Sequence, residues 1–432
     1  MFKLLPAGLV GAVLLAGCGL PGAGAPSPGP SGSPAGANQA LGAQTDRRIA
    51  SAQATLRVAP HNVAALNELS AAYLQKVREV GDPSYYPKVD DLLVDALRLD
   101  PPNINSNLLL GLLELARHQF KSALDQGAKV VALAPHSSGP YGVLGDAQVE
   151  LGRYTDAQAT FQTMVNTRPD LGSYSRVSYI RELFGDIPGA IDAMQRALAA
   201  GGPFPENTAY VQVLLGNLYF NSGHLDEADA QYQEVLSGYP DYVHAVAASA
   251  AVRAARADYK GAIALYQKAI GIYPLPQYVV ALGDVYTASG NAAMATQTYA
   301  LADAEQALYK ANGVDLDQEL ALFDADHQRN LADALVSARR AAADRPSVQS
   351  SDVLAWTLYA TGDYASALVA TRQSHRINTQ DASFFFHSGM IEARLHMNAD
   401  ARADLQKAID INPHFSLLRA PEARATLAAL PS

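Results

Sequence analysis

The stretch YGVLGDAQVELGRYTDAQATFQTMVNTRP, residues 141–169, decides the fold of this chain. It places a leucine and glycine at Leu144-Gly145, an alanine and aromatic at Ala157-x3-Phe161, and a proline at its end. The proline recurs every 34 residues, at Pro101, Pro135, Pro169 and Pro203. A period of this length is typical of a two-helix unit that stacks on its neighbours in a solenoid. No alternating runs indicate strands, so we expect an all-α protein.

Further copies of the pattern lie along the chain. A second copy reads Leu215-Gly216-x2-Tyr219, Ala228-x3-Tyr232, Pro240, and a third, without the final proline, reads Leu282-Gly283-x2-Tyr286, Ala295-x3-Tyr299. Weaker copies fill most of residues 62–415. The pattern resembles the tetratricopeptide repeat, W-x2-L-G-x2-Y, A-x3-F, P. This resemblance implies a superhelical solenoid of about ten helix-turn-helix units, a fold that commonly serves protein–protein interaction.

The recurring small residues are predicted to be packing positions. Gly145, Gly216 and Gly283 lie where the first helix of a unit meets the second, so two backbones can approach there. A larger side chain would overpack the contact at a cost of about 1–3 kcal/mol. Glycines are expected to end the first helix with a positive φ at Gly152, Gly185, Gly223, Gly290 and Gly362. In such an array each unit is expected to couple only to its neighbours.

The spacing divides the chain into four parts. Residues 1–17 are predicted to be a lipoprotein signal peptide, and residues 18–44 a lipidated cysteine with a disordered Pro/Gly/Ser/Ala linker. Residues 45–311 hold about seven repeat units. Residues 312–432 hold an insertion expected to form a loop, a degenerate unit, two further units and a capping segment.

The N-terminus indicates export and anchoring. A short basic start precedes an apolar stretch at residues 4–15 that is too short to span a bilayer. The following Leu15-Ala16-Gly17-Cys18 resembles a bacterial lipobox, which implies lipidation of Cys18. Cys18 is the only cysteine in the chain, so no internal disulfide can form. We therefore expect a membrane-anchored lipoprotein of the cell envelope that faces outside the cytoplasm; an ordinary cleaved signal peptide is the alternative.

Composition and motifs give little support to catalysis. A formal net charge of −10 without a basic stripe argues against nucleic-acid binding. The match to G-x-G-x-x-G at residues 17–22 follows no strand, as a dinucleotide site requires, and the predicted cleavage would divide it. We expect a non-catalytic protein without a cofactor. The weak metal candidates are Asp324 and His327, with Asp326 between them, but one histidine and few carboxylates are more often a solvated polar face.

A concave groove is the predicted binding surface. In the tetratricopeptide family, ligands usually lie against the first helix of each unit. Carrying those positions over gives the candidates Asp146, Tyr179, Glu182, Tyr210, Asn217, Phe220, His244, Gln277, Asp284, Trp356, Tyr359 and His387. Aromatic rings beside amides and carboxylates suit a peptide or a glycan. For each aromatic residue, packing between repeats is the alternative.

Three functions are compatible with these features. The first is a lipid-anchored interaction scaffold with a protein partner. The second is a receptor that binds a peptide or glycan in the aromatic groove. The third, which has the least support, is a metalloprotein or enzyme that uses Asp324, Asp326 and His327.

Overall fold

The computed structural model describes residues 34–202 and 204–431, with side chains from residue 42 onward. This part of the chain is all-α, as predicted, and contains 22 helices and no strand. The helices are α1 (Pro34–Val58), α2 (Val63–Val80), α3 (Tyr85–Leu99), α4 (Ile104–Ala116), α5 (Phe120–Leu133), α6 (Ser138–Glu150), α7 (Tyr154–Thr167), α8 (Leu171–Leu183), α9 (Ile187–Ala200), α10 (Pro205–Asn221), α11 (Leu225–Gly238), α12 (Val243–Ala255), α13 (Tyr259–Ile272), α14 (Pro276–Ala288), α15 (Ala292–Ala311), α16 (Asp317–Asp326), α17 (Leu331–Asp344), α18 (Val348–Ala360), α19 (Tyr364–Ser374), α20 (Ala382–Arg394), α21 (Asn398–Ile411) and α22 (Arg419–Ala429).

Ten helix pairs, from α2–α3 to α20–α21, follow one another as repeat units. Helix α1 packs on the first pair and α22 on the last. The predicted solenoid of about ten helix-turn-helix units is therefore confirmed. Residues 34–44 of the segment predicted as a linker are helical in α1. The predicted signal peptide (1–17), Cys18 and the rest of the linker lie outside the described residues.

Every one of the ten turns inside a unit contains a residue with positive φ. Six of them are glycines: the five predicted positions and Gly81. In the other four units the same position is taken by His118, Ala257, Gln328 and His396, with φ between 53 and 61°. This left-handed conformation costs an L-residue about 1–2 kcal/mol. The turn geometry is thus imposed by the packing of the two helices, even where the sequence does not favour it.

The recurring glycines of the first helices contact an aromatic ring instead of a backbone. A Cβ on Gly145 would lie 2.2 Å from Phe161, and one on Gly216 would lie 2.3 Å from Tyr232. In both units the ring belongs to the second helix of the same pair. The prediction of a close contact at this position is correct, but its partner is a side chain and not the neighbouring backbone.

First and second helices are buried to different degrees. In α12, ten residues are buried, on all sides of the helix. In the following α13 only Ala262, Tyr266 and Ala269 are buried, on one stripe. First helices therefore lie inside the molecule, and second helices form its convex surface. In the part of the chain that the structure describes, no helix is both long enough and apolar enough to cross a membrane.

The extra length before the degenerate unit extends a helix. Helix α15 has 20 residues, whereas α13 and α17 have 14 each. Only residues 312–316 connect α15 to α16. The insertion expected as a loop is thus largely an added stretch of α15, which carries Gln306 and Tyr309 toward the centre of the solenoid.

The solenoid winds so tightly that successive turns of the superhelix touch. Tyr154 Oη accepts a hydrogen bond from the Val348 backbone N–H at 2.7 Å, although 194 residues separate them. The Thr379 hydroxyl donates to the Leu183 carbonyl at 2.7 Å across 196 residues. These residues lie at helices α7 and α18 and at helices α8 and α20. One superhelical turn therefore takes up about eleven helices.

Residues of the second superhelical turn donate hydrogen bonds to backbone carbonyls at the C-terminal ends of helices in the first superhelical turn. The last four carbonyls of a helix have no partner within the helix. Donors from the second turn reach carbonyls at the ends of four first helices, in addition to the Tyr154–Val348 bond. These donors and acceptors are Tyr273 Oη to Arg78 O, Asp315 N to Arg117 O, Thr379 Oγ1 to Leu183 O, and Asn412 Nδ2 to Phe220 O. Units five to six positions apart are consequently in direct contact, in addition to neighbouring ones.

Candidate functional site: a crevice between two turns of the superhelix

The predicted groove positions fall into two groups of different exposure. Six of them are buried inside the solenoid: Tyr179, Tyr210, Asn217, His244, Trp356 and His387. The other six keep part of their surface: Asp146, Glu182, Phe220, Gln277, Asp284 and Tyr359. Because the first helices are covered by the adjacent turn, the structure offers no continuous open groove along these positions.

The buried aromatic candidates are engaged with one another. The Trp356 ring stacks between Tyr359 at 4.7 Å and His387 at 4.3 Å, measured between ring centroids. Trp356 Nε1 donates to Asp326 at 2.9 Å, and Asp352 accepts from His387 Nδ1. Rings already stacked and hydrogen-bonded inside the protein present no face to a sugar, so the glycan hypothesis gains no support at this position.

A buried ion pair lies at the centre of the solenoid. Glu206 accepts hydrogen bonds from Arg78 at 2.6 Å, Tyr242 at 2.8 Å and Gln75 at 3.2 Å. Burial raises the pKa of Glu206, but the Arg78 charge and these donors outweigh it, so the pKa is lowered overall. Burial lowers the pKa of the adjacent His244 to about 4. This centre is a structural network of paired buried charges, and removing one partner of such a pair costs about 3–5 kcal/mol.

Asp146 also belongs to an ion pair inside the protein, with Arg176 as its partner. Its two carboxylate oxygens accept from Arg176 Nε at 2.8 Å and from Arg176 Nη2 at 2.6 Å. This bidentate geometry is the strongest form of the pair. Burial nevertheless raises the pKa of Asp146 to about 6, against the lowering effect of Arg176. Asp146 therefore links helices α6 and α8 of neighbouring units.

Four of the half-buried candidates meet in one crevice of about 370 Å³: Glu182, Phe220, Gln277 and Asp284. Helices α10, α12, α13 and α14 form one wall. The opposite wall consists of residues 379–383, the segment 412–417 and helix α22. The crevice therefore lies between the two superhelical turns and needs both of them to exist.

Small side chains on α12 open the crevice. Ala251 and Ala254 line it, at the repeat positions that Asn217 and Phe220 occupy on α10. Ala251 also corresponds to Asp284 on α14. Because α12 carries methyl groups where α10 carries an amide and a phenyl ring, the space that those larger side chains occupy in the α10 unit stays empty beside α12. An alanine floor also lets a bound backbone approach closely.

The charged groups of the crevice are held in place by the protein. Asp284 Oδ1 accepts from the Tyr299 hydroxyl and from His327 Nε2, both at 2.8 Å. Asp381 caps helix α20 by accepting from the Ser383 backbone N–H at 2.9 Å. Gln277, by contrast, is half-buried and forms no hydrogen bond within the described residues. Its amide offers one acceptor and two donors, which matches a peptide backbone.

The weak metal candidates have other partners. His327 uses Nε2 for Asp284 and Nδ1 for the Phe323 carbonyl at 2.8 Å. Asp324 accepts from Asn330 at 3.3 Å, and Asp326 accepts from Trp356. Among the side chains described, no group of three or more His, Cys, Asp or Glu residues could hold a metal ion.

Sequence reasoning missed the second wall of the crevice. Residues 379–383 and 412–417 lie between helices, and nothing local in their sequence indicates that they face α12 and α14. The alanines of α12 were the available signal, because they depart from the larger residues at the same positions of neighbouring units.

Comparison with known proteins supports the repeat assignment. Residues 213–275 match the tetratricopeptide repeat family. No curated protein matches the chain. The fold is similar to a thermophilic tetratricopeptide repeat protein from Thermus thermophilus, at 23% identity over 45% of this chain and 99% of that one, with a TM-score of 0.37. It is also similar to a repeat protein from Parabacteroides merdae (16% identity, 60% and 97% coverage, TM-score 0.36) and to the human IFIT1 dimer with PPP-AAAA (12% identity, 86% and 88% coverage, TM-score 0.46).

Proposed function

We propose that this protein is a lipid-anchored interaction scaffold outside the cytoplasm, which holds a short extended segment of a partner protein in the crevice between its turns. The solenoid is a fold of protein–protein interaction scaffolds. The location and the anchor are inferred from the lipobox sequence that ends at Cys18. The scaffold itself is non-catalytic in this proposal.

The observation that carries the proposal is the crevice. About 370 Å³ remains open beside the alanines of α12. Ligand sites in proteins commonly span about 300–1,000 Å³ and combine an apolar lining with a few fixed polar groups. Phe220 and Tyr259 supply apolar surface, and Gln277 supplies hydrogen bonds. This combination suits a few residues of an extended peptide.

Site-specific photo-crosslinking tests the proposal. A photoreactive side chain at Ala251 lies in the crevice, and one at Val369, 60% exposed on α19, serves as the control on the convex surface. In membranes of the native organism, we expect a defined crosslinked protein from position 251 that is not obtained from position 369. Identical products from both positions, or no product from position 251, would contradict a partner in the crevice.

A filling variant gives a second readout. Ala251→Phe occupies the crevice, and Val369→Phe adds the same ring to the convex surface. The partner captured by the unmodified protein should be lost from the first variant and retained by the second. If both variants retain it, the partner binds elsewhere.

A further inference from the structure

A second cavity of about 140 Å³ lies at the centre of the solenoid. It is bounded by the end of α2, the start of α10 and α12, and the segment from residue 273 to α16. Its wall contains four tyrosine rings and two imidazoles: Tyr86, Tyr210, Tyr273, Tyr309, His118 and His244. An engineered cavity of similar size in another protein holds benzene. A single six-membered ring therefore fits this space.

The charged groups at the cavity are all neutralised by the protein. Arg78 pairs with Glu206, and Glu319 accepts from Arg345 at 3.1 Å. Burial lowers the pKa of both His118 and His244, so that both imidazoles are neutral at pH 7. A charged ligand would lose its hydration without meeting a free opposite charge. The cavity therefore favours an uncharged occupant.

The fully buried amide at the cavity, Gln306, has no partner within the described residues. Gln306, which borders the cavity on the extended part of α15, is 3% exposed. Neither its Nε2 nor its Oε1 forms a hydrogen bond within the described residues. A buried amide without a partner is costly and rare in native proteins. Its adjacent donor and acceptor match the acceptor and donor of another amide.

The cavity adjoins the crevice at one side chain. Gln277 lines both spaces, and the hydroxyl of Tyr278, which lines the crevice, lies 2.6 Å from Nδ1 of His244, which lines the cavity. Since Gln277 is half-buried and has no hydrogen-bond partner among the described groups, its rotation needs no bond to break. This gives a small molecule a route from the crevice to the centre.

We propose that this cavity is a binding site for a small, planar, uncharged amide of about the size of benzamide, which pairs with Gln306 and stacks among the tyrosine rings. The site depends on both superhelical turns, because α2 comes from the first and α15 from the second. Its ligand differs from the peptide segment proposed for the crevice, and the site requires no partner protein.

Thermal-shift and calorimetric titration of the purified full-length protein test this proposal with benzamide as the probe. Benzoate and benzylamine are probes of matched size with a negative or positive charge. We expect a concentration-dependent rise in melting temperature with benzamide and none with the charged compounds. Equal shifts with all three compounds, or no shift with benzamide at millimolar concentration, would overturn it; the second result would mean that the cavity holds water only.

Two variants connect binding to the amide. Gln306→Leu removes the donor and acceptor but keeps a side chain of similar volume, and it should abolish the benzamide shift. Gln162→Leu, on the exposed surface of α7, should keep the full shift. Because Gln306 is unpaired, Gln306→Leu should also melt at or above the temperature of the unmodified protein. A variant that still responds to benzamide, or that melts clearly lower without ligand, refutes the assignment.

Discussion

Replacing Gly152 by alanine tests whether the turns of the superhelix support each other. Gly152 has φ +69°, and a Cβ there would lie 2.2 Å from the backbone carbonyl oxygen of Pro346 in the second turn. Gly362 is the matched control, because it holds the same position in its unit with φ +88° but has nothing within 4 Å. Both substitutions force alanine into the left-handed region, at about 1–2 kcal/mol.

Only Gly152→Ala should also disturb the inter-turn contact. Overpacking against a fixed backbone atom adds about 1–3 kcal/mol. We therefore expect Gly362→Ala to lower the free energy of unfolding by about 1–2 kcal/mol, and Gly152→Ala by about 2–5 kcal/mol. Urea denaturation followed by circular dichroism measures the difference between the two variants.

Hydrogen exchange shows where the difference arises. The Val348 N–H is bonded to the Tyr154 hydroxyl, so Gly152→Ala should speed exchange at the start of α18, in the second turn, as well as in α6 and α7. Gly362→Ala should speed exchange only in α18, α19 and their neighbours. Equal destabilisation by both variants, or exchange confined to α6–α9 in Gly152→Ala, would refute direct coupling between turns.

Three further outcomes are expected. Ala257→Gly should raise the free energy of unfolding by about 1 kcal/mol in urea denaturation, since alanine is held there at φ 61°; an unchanged midpoint contradicts this. Burial and the nearby Asp404 and Asp400 raise the pKa of Glu392 to about 8. The folded state therefore keeps the Glu392 proton at pH values where the unfolded state has already lost it, and the free energy of unfolding falls as pH rises toward 8. Glu392→Gln should therefore stabilise by about 1–3 kcal/mol at pH 9 and have little effect at pH 5, and equal effects in melts at both pH values would oppose it. Cys18→Ala should abolish lipid labelling and move the protein out of the membrane fraction, whereas unchanged labelling would exclude the proposed anchor.

The repeat architecture could be read from the sequence because its signals are local. Gly145 approaches Phe161 within one unit, so their spacing repeats wherever the contact repeats. The left-handed turn was predicted only where glycine marks it. At Ala257 the same conformation is imposed by tertiary packing, and the residue type gives no sign of it.

The contacts between turns could not be predicted from the same signals. The backbone-carbonyl and Tyr154 bonds described above join residues 192–198 positions apart, and each depends on the cumulative rotation of about eleven helices. The expectation that each unit is coupled only to its neighbours is wrong for this reason. The closure of the interior, and with it the burial of Tyr210 and Trp356, follows from this winding and not from any single repeat. The insertion that the sequence predicts before the degenerate unit corresponds to the extension of α15 that carries Gln306.

The touching turns also constrain how such a protein can evolve. Repeat arrays usually lengthen or shorten by duplicating or deleting whole units. Here, removal of one 34-residue unit between Tyr154 and Val348 would shift the second turn against the first and separate all the inter-turn hydrogen bonds together. The number of repeats within the first turn is therefore fixed by geometry, and growth is free only at the two ends of the coil.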